Sequence, residues 1–211
     1  MNQTPFGDPI PPGTPAAGIL QRAKDILLKP KEAWAAIDAE PATTQSIYVP
    51  YVLLLAAVGP IAQLIGGQVF GYNFFGVAFR PPLIGALTTA IISYGMTLVT
   101  TYILSLVIDG LAPTFGGQKN QIQALKVAAY SATASWLAGI FGLIPALSIL
   151  AIVGLYSLYL LYLGLPILMK TPADKALGYT VVVILVAVAL FFVVGLVVAA
   201  FAVTPAMTVR M

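Results

Sequence analysis

Long apolar runs broken by short polar clusters set the pattern of this chain. Charge-free stretches occupy residues 41–79, 81–108, 127–169 and 176–209. A helix crossing the ~30 Å hydrocarbon core needs roughly 20 mostly apolar residues, each rising about 1.5 Å. The first stretch predicts one span at about 47–66, followed by the Gly-rich aromatic loop GGQVFGYNFFGVAF. The second predicts a span at about 83–108. The third is too long for one helix, and Gly142 and Pro145 in FGLIPAL mark a turn, so it divides into spans at about 124–143 and 147–168. The Val-rich fourth stretch predicts a last span at about 178–203. The expected fold is an all-α integral membrane protein with a five-helix transmembrane bundle over 47–203.

Ahead of the bundle the periodicity changes. In GILQRAKDILLKPKEAWAAID, Ile19, Leu20, Ala23, Ile26 and Leu27 recur at helical spacing, with Arg22, Lys24, Asp25 and Lys29 off that face. Pro30 interrupts the run and can open a second short helix at its first turn, where Trp34 and Ile37 are i, i+3 neighbours. The segment 19–40 reads as an amphipathic interfacial helix anchored by Lys29, Pro30 and Trp34. A structural collar against the bundle is the plainer reading, a partner-binding surface the sharper one. Residues 1–18, with five prolines and no base, read as a disordered tail and not as a cleavable signal; residues 204–211 read as a short external tail.

Charge sharpens this picture. Only 8% of the 211 residues are charged, against about a quarter in a soluble domain, and 60% are apolar. With an N-terminus inside, the cytoplasmic segments carry Arg22, Lys24, Lys29, Lys31, Lys119, Lys126, Lys170 and Lys175, and the external ones Arg80 and Arg210. That excess of inside bases predicts an N-in, C-out topology. The chain has no His and no Cys, which excludes disulfides, Cys/His zinc sites and Ser-His-Asp or Cys-His nucleophilic catalysis. No metal, cofactor, catalytic residue or nucleic-acid partner is expected, and the chain reads as no enzyme.

The intramembrane polar groups are the remaining candidates. Gly85, Thr89, Ser93, Thr97, Thr101 and Ser105 recur every four residues and end at Asp109. A period of four drifts about 40° per step against a 3.6-residue turn, so the series winds around its helix and can meet two neighbours. Shorter series, Ser131/Ser135/Gly139, Ala134/Ala138/Gly142 and Gly195/Ala199, are packing signals. Tyr156, Tyr159 and Tyr162 exceed what an aromatic belt needs; their hydroxyls are expected to pair with the Ser and Thr of the second span, or to contact a lipid headgroup or ligand. Gly59-Pro60 and Gln63 interrupt the first span, as broken transporter helices do, yet proline kinks are also tolerated without function. The spans read as free of ionisable groups, with Lys126 counted among the cytoplasmic bases and Asp109 at a helix end. That disfavours coupled transport.

Three stretches carry a family likeness: RAKDILLKPKEAW (22–34), ALKVAAYSATASWLAGIFGLIP (124–145) and GLYSLYLLYLGLPILMKTPADKALGYTVVV (154–183). In these the chain resembles the YIP domain family of Ypt/Rab-interacting five-span membrane proteins, in its short prokaryotic form. The resemblance implies a cytoplasmic N-terminus and a bacterial cytoplasmic (inner) membrane location. Its eukaryotic relatives work in vesicle trafficking and bind small GTPases. The pre-membrane region of about 45 residues is shorter than theirs, so a GTPase partner is not expected here. The function expected is a scaffold or adaptor organising membrane lipids, a membrane-protein partner or further copies of itself. The alternative is a small permease or channel for a neutral or lipid-like solute. The candidate contact residues are Tyr156, Tyr159, Tyr162, Gln63, Pro60, Thr97, Thr101 and Asp109.

Overall fold

The computed structural model describes residues 15–74 and 77–203. The chain is helical apart from one short hairpin among the described residues. Helix α1 (Pro15–Leu28) starts inside the stretch expected as tail, and α2 (Pro30–Ala39) follows after one residue, with Pro30 in its first turn as the sequence predicts. The remainder of the Pro-rich tail, and the external tail at 204–211, lie outside the described residues.

Among the described residues, four helical stretches are long and apolar enough to cross a membrane: Thr44–Val69, Leu83–Phe115, Pro145–Leu168 and Ala173–Phe201. The first is composite. Helix α3 (Thr44–Ile47) opens on a capping box, in which Thr43 Oγ1 accepts from Ser46 N and Ser46 Oγ accepts from Thr43 N. A π-helical turn follows, broken at Val49 ahead of Pro50. Helix α4 (Leu53–Val69) completes the stretch. The expected aromatic loop forms an antiparallel hairpin, β1 (Tyr72–Phe74) with β2 (Val77–Phe79). Then comes α5 (Leu83–Leu111). The fourth expected span is a long 3₁₀ stretch, Pro145–Leu155, running into α8 (Tyr156–Leu168), and α9 (Ala173–Val203) is the last.

The third expected span, at 124–143, is not one helix. It consists of α6 (Gln121–Ser131), α7 (Thr133–Ala138) and a 3₁₀ stretch, Gly139–Leu143. Its small polar residues explain the breaks. Ser131, Thr133 and Ser135 turn their hydroxyls back onto the carbonyls of Val127, Tyr130 and Ala132, which offers the backbone an alternative to regular helix. The glycines beyond then let two backbones meet. A Cβ on Gly139 would lie 2.7 Å from the Gly59 Cα, and one on Gly66 would lie 2.4 Å from the Gly142 carbonyl oxygen. The segment is thus pressed flat against α4, and the small-residue series of this segment marks a packing face as the sequence predicts.

The ends of the elements alternate. Gln123 in α6 reaches Asp38 of α2, Gly142 meets α4 near the hairpin, and Lys170 after α8 returns to Asp38. One end of the bundle therefore carries the hairpin and the other carries α1 and α2.

At that second end lies the largest core. Ile26, Ala33, Trp34 and Ile37 pack with Ile108, Ala112, Ala124, Val127, Leu160, Leu161, Leu165, Leu168 and Tyr179. Trp34, expected as an interfacial anchor, is instead fully buried. Its indole lies on α8, where a Cβ on Gly164 would sit 2.7 Å from Trp34 Cζ2, and edge-on to Tyr130. Only a glycine leaves room for a ring this large, so Trp34 and Gly164 define the seat together. Leu20, assigned to the apolar face, is exposed, while Ile19, Ala23 and Ile26 are buried.

Polar contacts close the same joint. Lys126 is almost wholly buried, and its ammonium donates to the carbonyls of Ile37 (2.7 Å) and Glu40 (2.5 Å) at the C-terminus of α2. These carbonyls lack intrahelical partners and carry the negative end of the helix dipole, which suits a cation. Gln123 Nε2 donates to the Asp38 carbonyl and carboxylate, Lys170 pairs with Asp38 at 2.5 Å, and Arg22 forks onto Glu40 at 2.5 and 2.7 Å. Burial works against the Arg22 charge, but the Glu40 carboxylate outweighs it and holds the guanidinium above its ordinary pKa.

Two outcomes follow from this joint. Gly164→Val should unseat Trp34 and destabilise the protein by about 3–5 kcal/mol, the range for losing a large buried aromatic. Limited proteolysis with trypsin in detergent should then cut after Lys24 and Lys31 faster than in the wild type. Lys126→Met should cost about 1–3 kcal/mol by leaving buried carbonyls unpaired, whereas Lys170→Ala, at a half-exposed pair, should cost less than about 1 kcal/mol. Thermal unfolding in micelles, followed by tryptophan fluorescence, measures both.

Candidate functional site

Hairpin, α4 and α5 enclose a cavity of about 660 Å³, within the range of ligand pockets. Pro60, Gln63, Leu64 and Gly67 supply the α4 wall. Pro82, Gly85, Ala86, Thr89, Ala90 and Ser93 supply the α5 wall, and Tyr72 and Phe79 of the hairpin close one end. The spacing explains the shape. Pro82, Gly85, Thr89 and Ser93 share one face of α5 over eleven residues, about 16 Å of helix. Gly85 and the small side chains after it keep that face low, so α4 does not close on it. The first half of the four-residue series thus lines a furrow together with Pro60 and Gln63, a grouping that the sequence suggested only as separate features.

The second half of the series does something else. Thr97, Thr101 and Ser105 donate to the carbonyls of Ser93, Thr97 and Tyr102 on their own helix. Among the described residues, the Gln63 amide and the Thr89 and Ser93 hydroxyls make no hydrogen bond. Below Ser93 the furrow ends. Tyr94 donates to the Leu53 carbonyl at 3.0 Å and Tyr48 to the Leu98 carbonyl at 2.8 Å, tying α4 and its leading turn to α5. The cavity is therefore blind at mid-helix.

The tyrosines of α8 do not pair with α5. Tyr156 donates to the Leu27 carbonyl at the end of α1 (3.1 Å), while Tyr159 and Tyr162 are exposed. A step of three residues turns each ring about 60° from the one before, so only one of the three faces the collar. The stitching hydroxyls are others. Tyr48 and Tyr94 join α4 to α5, Tyr51 meets Thr133 Oγ1 at 2.7 Å, and Tyr179 donates to the Ile108 carbonyl. Each sits where a carbonyl or hydroxyl of a neighbouring helix can accept, and a carbonyl's second lone pair is free to do so. Sequence reading missed these because spacing along one helix does not show which helix lies opposite.

Asp109 sits half-buried at the end of α5, with Oδ1 unpaired, beside Phe115 and Tyr179 stacked on each other. Lys29 and Pro30 lie at the start of α2, on the collar and far in sequence from the furrow. Lys126 and Gln123 were missed as joint residues; the available signal was a lone base inside an apolar helix.

The Yip1 domain family matches residues 24–206. The chain is similar to the inner membrane protein YohC of Escherichia coli strain K12, at 28% identity over 117 residues. The protein of the same name from Escherichia coli O6:H1 is similar to the same degree. The alignment covers 55% of this chain and 60% of these relatives, less than two thirds of their length. No solved structure matches the chain. The four apolar helices make it a multi-pass membrane protein, and its match over most of its length places it: the chain belongs to the Yip1 domain family.

Proposed function

We propose that this chain is a non-enzymatic, five-span protein of the bacterial cytoplasmic membrane that organises membrane partners or lipids, with its N-terminus in the cytoplasm. The observation carrying this reading is the state of α9. Its first half buries Ala176, Tyr179, Thr180 and Val183 on one face. Beyond Val183 no described residue of the helix is buried: Leu185 is 63% exposed, Phe191 73% and Leu196 72%, and a Cβ on Gly195 would meet nothing within 4 Å. Gly195, with Ala199 a small-residue step suited to close helix packing, meets no neighbour among the described residues, and Ala199 is exposed. A rigid, cross-tied collar at one end and an open helix face on the side suit a protein that acts by holding neighbours.

The five-span count is supported by the broken segment Gln121–Leu143, whose two ends meet opposite ends of the bundle. The inside bases then fall with the collar. The permease reading draws on the cavity at Pro60 and Gln63, but a blind furrow favours binding over passage.

Single cysteines test both parts, since the chain has none of its own. Arg80→Cys should label from outside intact cells and Lys119→Cys should not. Disulfide or short-linker crosslinking at Gly195→Cys or Ala199→Cys in native membranes should yield one discrete larger species, with no such product at Val183→Cys on the buried face. Recovery of a lone monomer from every position would count against the scaffold role.

A further inference from the structure

The furrow between α4 and α5 has a chemistry of its own. No charged side chain lines it: its walls are apolar apart from the Gln63 amide, the Tyr72 hydroxyl and the Thr89 and Ser93 hydroxyls. Of these, the Gln63 side-chain amide and the Thr89 and Ser93 hydroxyls make no hydrogen bond among the described residues. In a membrane no water is at hand to satisfy such groups, so an occupant that accepts hydrogen bonds is favoured there. At the hairpin end Arg80 stands at the rim: its neighbours Phe79 and Pro81 line the cavity, while Arg80 itself lies outside the lining. Its guanidinium is exposed and donates once, to the Val69 carbonyl at 3.0 Å. It is the one charged residue between Glu40 and Asp109 in the sequence, so no nearby acid on α4, α5 or the hairpin neutralises it.

We propose that this furrow binds one anionic phospholipid drawn from the surrounding bilayer. Its phosphate pairs with Arg80, whose planar fork suits phosphate oxygens. Its ester carbonyls accept from the Gln63 amide and the Thr89 hydroxyl. One acyl chain lies along Gly85, Ala86 and Ala90 toward Ser93, where the tie between Tyr94 and Leu53 ends the furrow. An acyl chain is as well solvated by neighbouring lipid tails as by this furrow, so the tail supplies fit and little affinity. Selection therefore rests on Arg80 and the unpaired donors, and it favours an anionic headgroup. The inference extends the proposed organisation of lipids, naming the lipid class and the site. It depends on the chain being membrane-embedded and not on α9 meeting a partner.

Native mass spectrometry of the full chain, extracted in mild detergent, reads the occupant. The protein is then exchanged into phosphatidylethanolamine bilayers containing a minority of phosphatidylglycerol. The wild type should retain one phospholipid, enriched in phosphatidylglycerol. Arg80→Gln should lower that enrichment about fivefold, as expected for one base near an anionic headgroup. Gly85→Leu should abolish retention, and it should fold normally because a Cβ there meets nothing within 4 Å. The near-isosteric pair Thr89→Val with Ser93→Ala should weaken retention without filling the furrow. Equal retention by the wild type and all variants overturns the proposal, as does retention by none. If Gly85→Leu instead blocks glycerol uptake into vesicles and leaves lipid retention unchanged, the furrow conducts a neutral solute and the proposal falls. The crosslinking at Gly195 reads a different helix, so either experiment can fail without the other.

Discussion

The structure turns on the seating of Trp34 in the notch left by Gly164. An indole fully out of water is among the largest apolar contributions that a single side chain can make, and it is available only where no Cβ competes for the space. Once α2 is seated, its C-terminal carbonyls face Lys126, Asp38 reaches Gln123 and Lys170, and Glu40 reaches Arg22. Each of these contacts needs α2 at one depth and one angle. The packing sets that position, and the hydrogen bonds then make other positions costly, because buried carbonyls and a buried ammonium would be left unpaired. At this joint the apolar face of residues 19–40 is turned onto the bundle, as the collar reading has it.

The bundle is joined in two further ways, each suited to a nonpolar surrounding. Gly59, Gly66, Gly139 and Gly142 bring the backbone of α4 against the broken segment after α7. Tyrosine hydroxyls reach across to neighbouring carbonyls at Leu98, Leu53, Ile108 and Leu27. Where lipid tails are as apolar as leucine, hydrophobicity alone does not hold helices together, and close contact with hydrogen bonding takes over. Between the α4 and α5 walls of the furrow neither device is used. There α5 offers Gly85, Ala86 and Ala90 to α4 without a glycine opposite close enough to meet them, and three polar groups remain unspent.

Membrane class, the positions of four long helices, the two-helix lead with Pro30 at its break, and a loop after the first span were all legible in the sequence; that the loop pairs as a hairpin was not. Each depends on local quantities: hydropathy over a window, the residues per turn, and the backbone limits of proline. The third expected span was legible as apolar length only. Its Ser and Thr content signalled packing, but the turn from α-helix to 3₁₀ helix at Gly139 depends on the pressure of α4 against it. The candidate site was half legible: Pro60, Gln63 and the early Ser/Thr series were each visible, and their convergence was not.

The sequence by itself determined that this chain lies in a membrane, and the course of four long apolar helical stretches, because the cost of exposing peptide groups and charges to hydrocarbon is set residue by residue. Only the tertiary structure decided that Trp34 faces inward, that Tyr156 meets α1 instead of α5, and that Thr89 and Ser93 face a cavity while Thr97 and Thr101 face their own backbone. Those outcomes depend on which helix stands opposite and how near it comes. A period along one helix names a face, but the neighbour across from it determines what that face does.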